Sequence, residues 1–150
     1  MAVVRERPYS GFNFLVDLGT GEAEGPEAGF QECTGIGMDV AVIEYRNGNE
    51  KENQIRKLTG LTKVSDVTLR RGIIGSLALY TWVDQVRDGE QAALRTVTLS
   101  LQNEDHSAIV LTWKLLRARP VRLFTGPLHA QGNAVAMEEL TLAYERLEME

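Results

Sequence analysis

The chain has 150 residues, 43% of them hydrophobic and 25% charged, with a formal net charge of −5. At roughly 100–200 residues per domain, this length predicts one domain over residues 1–150, long enough to bury a core without disulfides or metal. The ordinary composition excludes wholesale disorder, collagen and a disulfide scaffold, and the acidic balance argues against general nucleic-acid binding.

The lone cysteine, Cys33, cannot form an internal disulfide and reads as a small, half-buried hydrophobe. The first twenty residues lack the apolar stretch of about 7–15 residues that a secretory leader needs. No run reaches the roughly 18 apolar residues of a membrane span. These features predict synthesis and folding in a reducing cytoplasm.

Short alternating segments follow in chain order: Phe12–Asp17, Met38–Arg46, Val67–Arg71, Val97–Leu101, Ile109–Leu116, Val121–Phe124 and Val135–Tyr144. In Met38–Arg46, Ala41, Ile43 and Tyr45 fall on one side, and Val40, Val42, Glu44 and Arg46 on the other. Period-two patterning marks strands, and about seven of them with Gly, Asn and Asp punctuation indicate an antiparallel sandwich or barrel. The exception is residues 76–88, where Leu79, Trp82, Val83 and Val86 form the stripe of an amphipathic helix. Ser76 suits its N-cap, Gly89 its C′ position, and Trp82 a core anchor.

Two loops stand out. Glu22–Gly29 is acidic and glycine-rich and reads as a solvated hairpin tip. Residues 47–62 open on the turn signal Asn47-Gly48-Asn49, yet carry Ile55, Leu58 and Leu61. A long loop with apolar residues needs something to pack against.

Charge is laid down in blocks: net −6 over residues 20–50, +4 over 51–72, +4 over 114–122 and −4 over 138–150. Such alternation suits copies that meet head to tail. Of the sixteen Lys and Arg residues, twelve are arginine, the cation enriched in interfaces.

No catalytic constellation appears. Glu138 and Glu139 are adjacent in a strand-like segment and should point to opposite faces, whereas an acid/base pair must converge. No His/Cys cluster has metal-ligand spacing. Gly35-Ile36-Gly37 is not a nucleotide fingerprint, and Ser76 and Ser100 lack a nucleophile-elbow context. His106 and His129 both fall in turn-like segments. The expectation is a non-enzyme with no cofactor and no metal.

Six segments in order carry a family resemblance: Pro8–Val16, Gly29–Gly37, Val42–Asn49, Arg56–Lys63, Thr68–Gly72 and Gly132–Glu138. Together they resemble a tail-tube protein of contractile phages and the related contractile injection systems, over nearly the whole chain. The resemblance implies two packed antiparallel sheets forming a barrel-like sandwich with one flanking α-helix, at about residues 76–88. It is similar in fold to the type VI secretion tube protein.

The resemblance also implies hexameric rings that stack into a hollow tube inside a sheath. Sheath contraction drives that tube through the target envelope. Implied partners are further copies of the chain, the sheath protein, baseplate and terminator or cap proteins, and cargo in the lumen, either DNA or protein effectors. The particle would be a virion tail or an injection device assembled in the producer cytoplasm. Subunit contacts are assigned to Tyr45, Arg46, Asn49, Ile55, Arg56, Lys57, Leu58, Leu61, Arg70 and Arg71. On that assignment, Arg71→Glu or deletion of residues 50–54 leaves a folded domain but abolishes tubes. The docking loop orders on binding, so free subunits polymerise slowly without a template. Competing readings are a baseplate-proximal ring that initiates the tube and, from another class, a monomeric small-ligand-binding β-barrel.

Overall fold

A computed structural model describes residues 2–150. The strands are β1 (Phe14–Asp17), β2 (Glu32–Thr34), β3 (Met38–Tyr45), β4 (Arg56–Val64), β5 (Val67–Gly72), β6 (Arg95–Gln102), β7 (Ile109–Thr125), β8 (Met137–Ala143) and β9 (Arg146–Met149). The helix α1 (Ala78–Arg87) lies between β5 and β6, and single 3-10 turns occur at Pro26–Ala28 and Gln91–Ala93.

The 17-residue β7 holds the architecture together. Its first half pairs with β6 on one side and β9 on the other, and its second half pairs with β8. At the junction Arg117 has a left-handed φ of 54°. Register shifts flank it, one opposite Arg95–Val97 and one at Pro120–Arg122, where proline has no N–H to give the ladder. The two segments Ile109–Leu116 and Val121–Phe124 are therefore one bent strand. It feeds two antiparallel layers, β1-β6-β7-β9 and β7-β8-β5-β2. No pairing joins β1 to β2, so the layers form an open sandwich and the barrel does not close.

Alternation decides what is buried. Val16, Val97, Leu99 and Leu115 from the first layer share one apolar cluster with Val67, Leu69, Leu140 and Leu142 from the second. α1 adds Leu79 and Trp82 to the same cluster, as its stripe requires. The Trp82 indole N–H donates to the Ala93 carbonyl at 2.6 Å, so its polar edge is satisfied inside the core. The helix begins one residue later than a Ser76 cap would place it. The Ser76 hydroxyl still accepts from the Ala78 N–H at 3.2 Å, and Gly89 takes φ +80° just past the helix end.

Two loop expectations change. Glu22–Gly29 is not a hairpin tip, because β1 and β2 lie in different layers. The segment is a crossover, held where Arg71 donates to the Glu27 carbonyl and Ser76 to the Glu27 carboxylate. Residues 56–62, expected within a loop, belong to β4, so the connection between β3 and β4 is only 46–55. Gly35 has φ +91°, and a Cβ there would sit 2.3 Å from the Asp66 carbonyl oxygen, so only glycine fits this approach to β5.

Candidate functional site

β3 and β4 pair only with each other, from Met38 opposite Val64 at the base to Tyr45 opposite Arg56 near the tip. A hairpin of two strands is at best marginal in water on its own. This one carries apolar side chains on both faces. Met38, Val40 and Val42 lie on one face, and Ala41, Ile43 and Tyr45 on the other; all six are exposed. In β4, Leu58 is 50% exposed and Leu61 87%.

The pairing explains why β4 hides in the sequence. Val40 opposes Thr62 and Val42 opposes Thr59, so Gly60 and Leu61 together face Ala41. This bulge flips the alternation of β4 halfway along. A Cβ on Gly60 would come within 3.0 Å of the Ala41 carbonyl oxygen, which is why glycine stands at the bulge. Cross-strand positions also match in charge, Asp39 opposite Lys63 and Glu44 opposite Lys57.

The tip is ordered by its own polar groups. Arg46 donates to the carbonyls of Glu50 (2.8 Å) and Glu52 (3.1 Å). Glu50 accepts from Asn47 and pairs with Arg56 at 2.8 Å, and the Tyr45 hydroxyl donates to the Asn47 side chain. Asn49, Ile55 and Lys57 are exposed around this frame. Arg46 is thus an organiser of the tip, and the apolar residues beside it form the free surface.

Eight of the ten residues assigned to subunit contacts sit on the hairpin, from Tyr45 to Leu61, and the structure gathers them on one element. Arg70 and Arg71 belong instead to β5 in the body. Arg70 reaches Glu32 at 3.1 Å and Glu139 at 2.9 Å and stays part-exposed. Arg71 is 1% exposed, paired with Glu138 at 2.7 Å, bonded to the Glu27 carbonyl and placed 5.4 Å from the Phe30 ring centre. A side chain this enclosed cannot meet a neighbour, so Arg71 leaves the contact set. Its parity carried the signal: Val67, Leu69 and Arg71 share one face of β5, and the first two are core.

Missed in the sequence were Met38, Val40, Val42 and Ile43, whose alternation reads as an ordinary half-buried strand. Glu138 and Glu139 do point to opposite faces, each to a different arginine. Burial pushes the Cys33 thiol up to about 11, away from thiolate chemistry at neutral pH. His106 sits in a turn with φ 61°, its ring nitrogen 3.1 Å from the Gln102 side chain. Among the described residues no helix is long and apolar enough to cross a membrane.

No curated protein matches the chain. Solved structures do. A chain in the cryo-EM structure of an extracellular contractile injection system, the PVC sheath-tube complex in the extended state, is 27% identical at TM-score 0.84, covering 97% of this chain and 93% of that one. A chain in the anti-feeding prophage (AFP) baseplate is 28% identical at TM-score 0.82, covering 97% of each. Hcp1 from Flavobacterium johnsoniae, at 11% identity and TM-score 0.53 over 91% of this chain and 93% of its own, shares the fold alone. The family model described as T4-like virus tail tube protein gp19 matches residues 10–148, and the chain is a contractile tail tube protein belonging to that family.

Proposed function

We propose that this tail tube protein assembles as hexameric rings that stack into a hollow tube, and that the β3–β4 hairpin is the element joining one copy to the next. One observation carries this reading: the hairpin exposes apolar side chains on both faces and has no second layer of its own. Burial at about 25 cal/mol per Å² is the strongest available stabilisation for such a surface, and a neighbouring copy supplies it repeatedly in a filament. Tyr45, Asn49, Ile55, Arg56, Lys57, Leu58 and Leu61 make the contacts, with Arg46 holding the tip and Arg70 a peripheral ion-pairing site.

The action is mechanical. A sheath surrounds the tube and drives it through a target envelope by contracting, and the lumen conducts DNA or protein cargo. Baseplate and cap proteins bound its two ends. The similarity to chains solved with a sheath and in a baseplate supports this placement. The whole of residues 1–150 acts as one tube domain. The baseplate match also favours a second reading, a ring that initiates the tube, which copy number in the native particle distinguishes.

Negative-stain electron microscopy of the purified protein and of the native particle tests the proposal. Rings and tubes are expected from the natural sequence, and only single folded protomers after deletion of residues 50–54. Normal tubes from that deletion would remove the hairpin from the interface. A monomer with an enclosed ligand cavity would restore the ligand-binding reading.

A further inference from the structure

The hairpin tip carries a chemically reactive dipeptide. Of the asparagines in the chain, only Asn47 is followed by glycine. Glycine has no Cβ to shield its nitrogen, so that nitrogen can approach the preceding side-chain amide carbon, Cγ, without hindrance. Gly48 is exposed, and nothing lies within 4 Å of the place a Cβ would take. Space and water are both available on this side of the turn.

The same turn holds the Asn47 amide back. The Tyr45 hydroxyl donates to Oδ1, and Nδ2 donates to the Glu50 carboxylate at 3.2 Å. Glu50 is itself fixed, by an ion pair with Arg56 at 2.8 Å and by its own N–H, which donates to the Asn47 main-chain carbonyl at 3.2 Å. With both amide atoms engaged, Cγ cannot swing freely onto the Gly48 nitrogen. Local opening of the tip releases it, and opening here breaks only a few exposed polar bonds.

We propose that Asn47–Gly48 is a self-modification site, at which each opening of the tip exposes Asn47 to conversion into aspartate or isoaspartate. The Gly48 nitrogen gives its proton to solvent and bonds to Cγ. The Cγ–Nδ2 bond breaks, and Nδ2 takes a proton from solvent and leaves as ammonia. One water then opens the cyclic imide. Cleavage at Cγ gives aspartate, and cleavage at the main-chain carbonyl gives isoaspartate. The sum is one water in and one ammonia out, with no oxidant or cofactor.

Either product undoes the tip. In aspartate, a carboxylate oxygen replaces the Nδ2 donor that faced Glu50. The nearby arginines are already engaged, Arg56 with the Glu50 carboxylate and Arg46 with the Glu50 and Glu52 carbonyls. In isoaspartate the backbone gains an atom, and the carbonyl that accepted from the Glu50 N–H leaves the main chain. Under the tube reading, conversion retires protomers that wait unassembled; the chemistry itself does not rest on that reading.

The test ages the full chain in mildly alkaline buffer, digests it and follows peptide masses. A one-dalton gain should appear at residue 47, with isoaspartate there by enzymatic methylation. Asn13, Asn49, Asn53, Asn103 and Asn133 are internal controls. Tyr45→Phe should speed conversion about fivefold, the weight of one net hydrogen bond in the opening equilibrium. Gly48→Ala should slow it severalfold without disturbing the fold, since Gly48 has no left-handed φ and an open Cβ position. The converted fraction, separated by its extra negative charge, should be cut by trypsin after Lys51 faster than the unconverted one. No conversion over about a hundred half-lives of the guanidinium-unfolded chain, the protection that three such bonds amount to, would overturn the proposal. So would a Tyr45→Phe rate no higher than that of the natural sequence, gains spread over the other asparagines, or equal tryptic cutting of the two fractions.

Discussion

Arg71 and Glu138 stand opposite each other on β5 and β8, and their side chains close a 2.7 Å ion pair at the edge of the apolar core. Removing one partner of such a pair strands the other charge in a poorly solvated place. Arg71→Ala should cost about 3–5 kcal/mol and lower the urea midpoint of the isolated protomer. Arg71→Glu should do worse, since it sets two carboxylates face to face. A matched apolar replacement, Arg71→Met with Glu138→Leu, should recover most of the loss. An Arg71→Ala protein with an unchanged midpoint would show that the pair contributes nothing.

Leu61 behaves in the opposite way. It is 87% exposed on the hairpin bulge, so Leu61→Ser should shift protomer stability by no more than about 0.5 kcal/mol. The same change should sharply reduce ring and tube yield in sedimentation and micrographs. Intact assembly would mean that the bulge is a free surface in the tube as well.

Residues 3–10, before β1, form a strap tied to the turn between β6 and β7 through Arg5, Ser10 and Glu104, and this strap gives a pH prediction. The Arg5 guanidinium, hydrogen-bonded to the Glu104 carboxylate, holds its pKa down to about 2, helped by the Ser10 N–H. A folded pKa below the unfolded one stabilises above the unfolded value and is lost as pH falls toward the folded value. The strap should therefore loosen as pH drops from about 4.5 toward about 2. The protection factor of the Val3 N–H, which donates to the Val110 carbonyl, should fall over that window once the pH dependence of intrinsic exchange is divided out. Glu104→Gln should exchange faster at neutral pH and show no such transition.

Gly35 and Gly75 make a matched pair for a backbone test. Both have positive φ, at +91° and +81°, but only Gly35 has a neighbour in the way. Gly75→Ala should cost about 1 kcal/mol, the ordinary penalty of a left-handed alanine. Gly35→Ala should cost clearly more, because its methyl would overlap the Asp66 carbonyl. Equal thermal shifts for the two would refute the steric account.

Where one face was buried, the sequence announced its strands. Val67 and Leu69 against Thr68 and Arg70 is a clean alternation, and Leu79, Trp82, Val83 and Val86 a clean helical stripe. What stayed hidden has local causes. The Gly60–Leu61 bulge reverses the facing of β4, so no single period runs through it. A chain bent at Arg117 and interrupted by Pro120 looks like two strands and is one. Arg71 reads as a surface cation by residue type, and only its parity with Val67 and Leu69 places it inside.

The unbroken run of β7 through both layers has a mechanical corollary. Force applied to either layer travels along peptide bonds into the other, without relying on side-chain friction between them. Sliding the layers past one another would first require unzipping the ladder on either side of Arg117. On the proposed mechanism, a subunit pushed abruptly along the tube axis has a continuous covalent member spanning the plane along which a sandwich would otherwise delaminate.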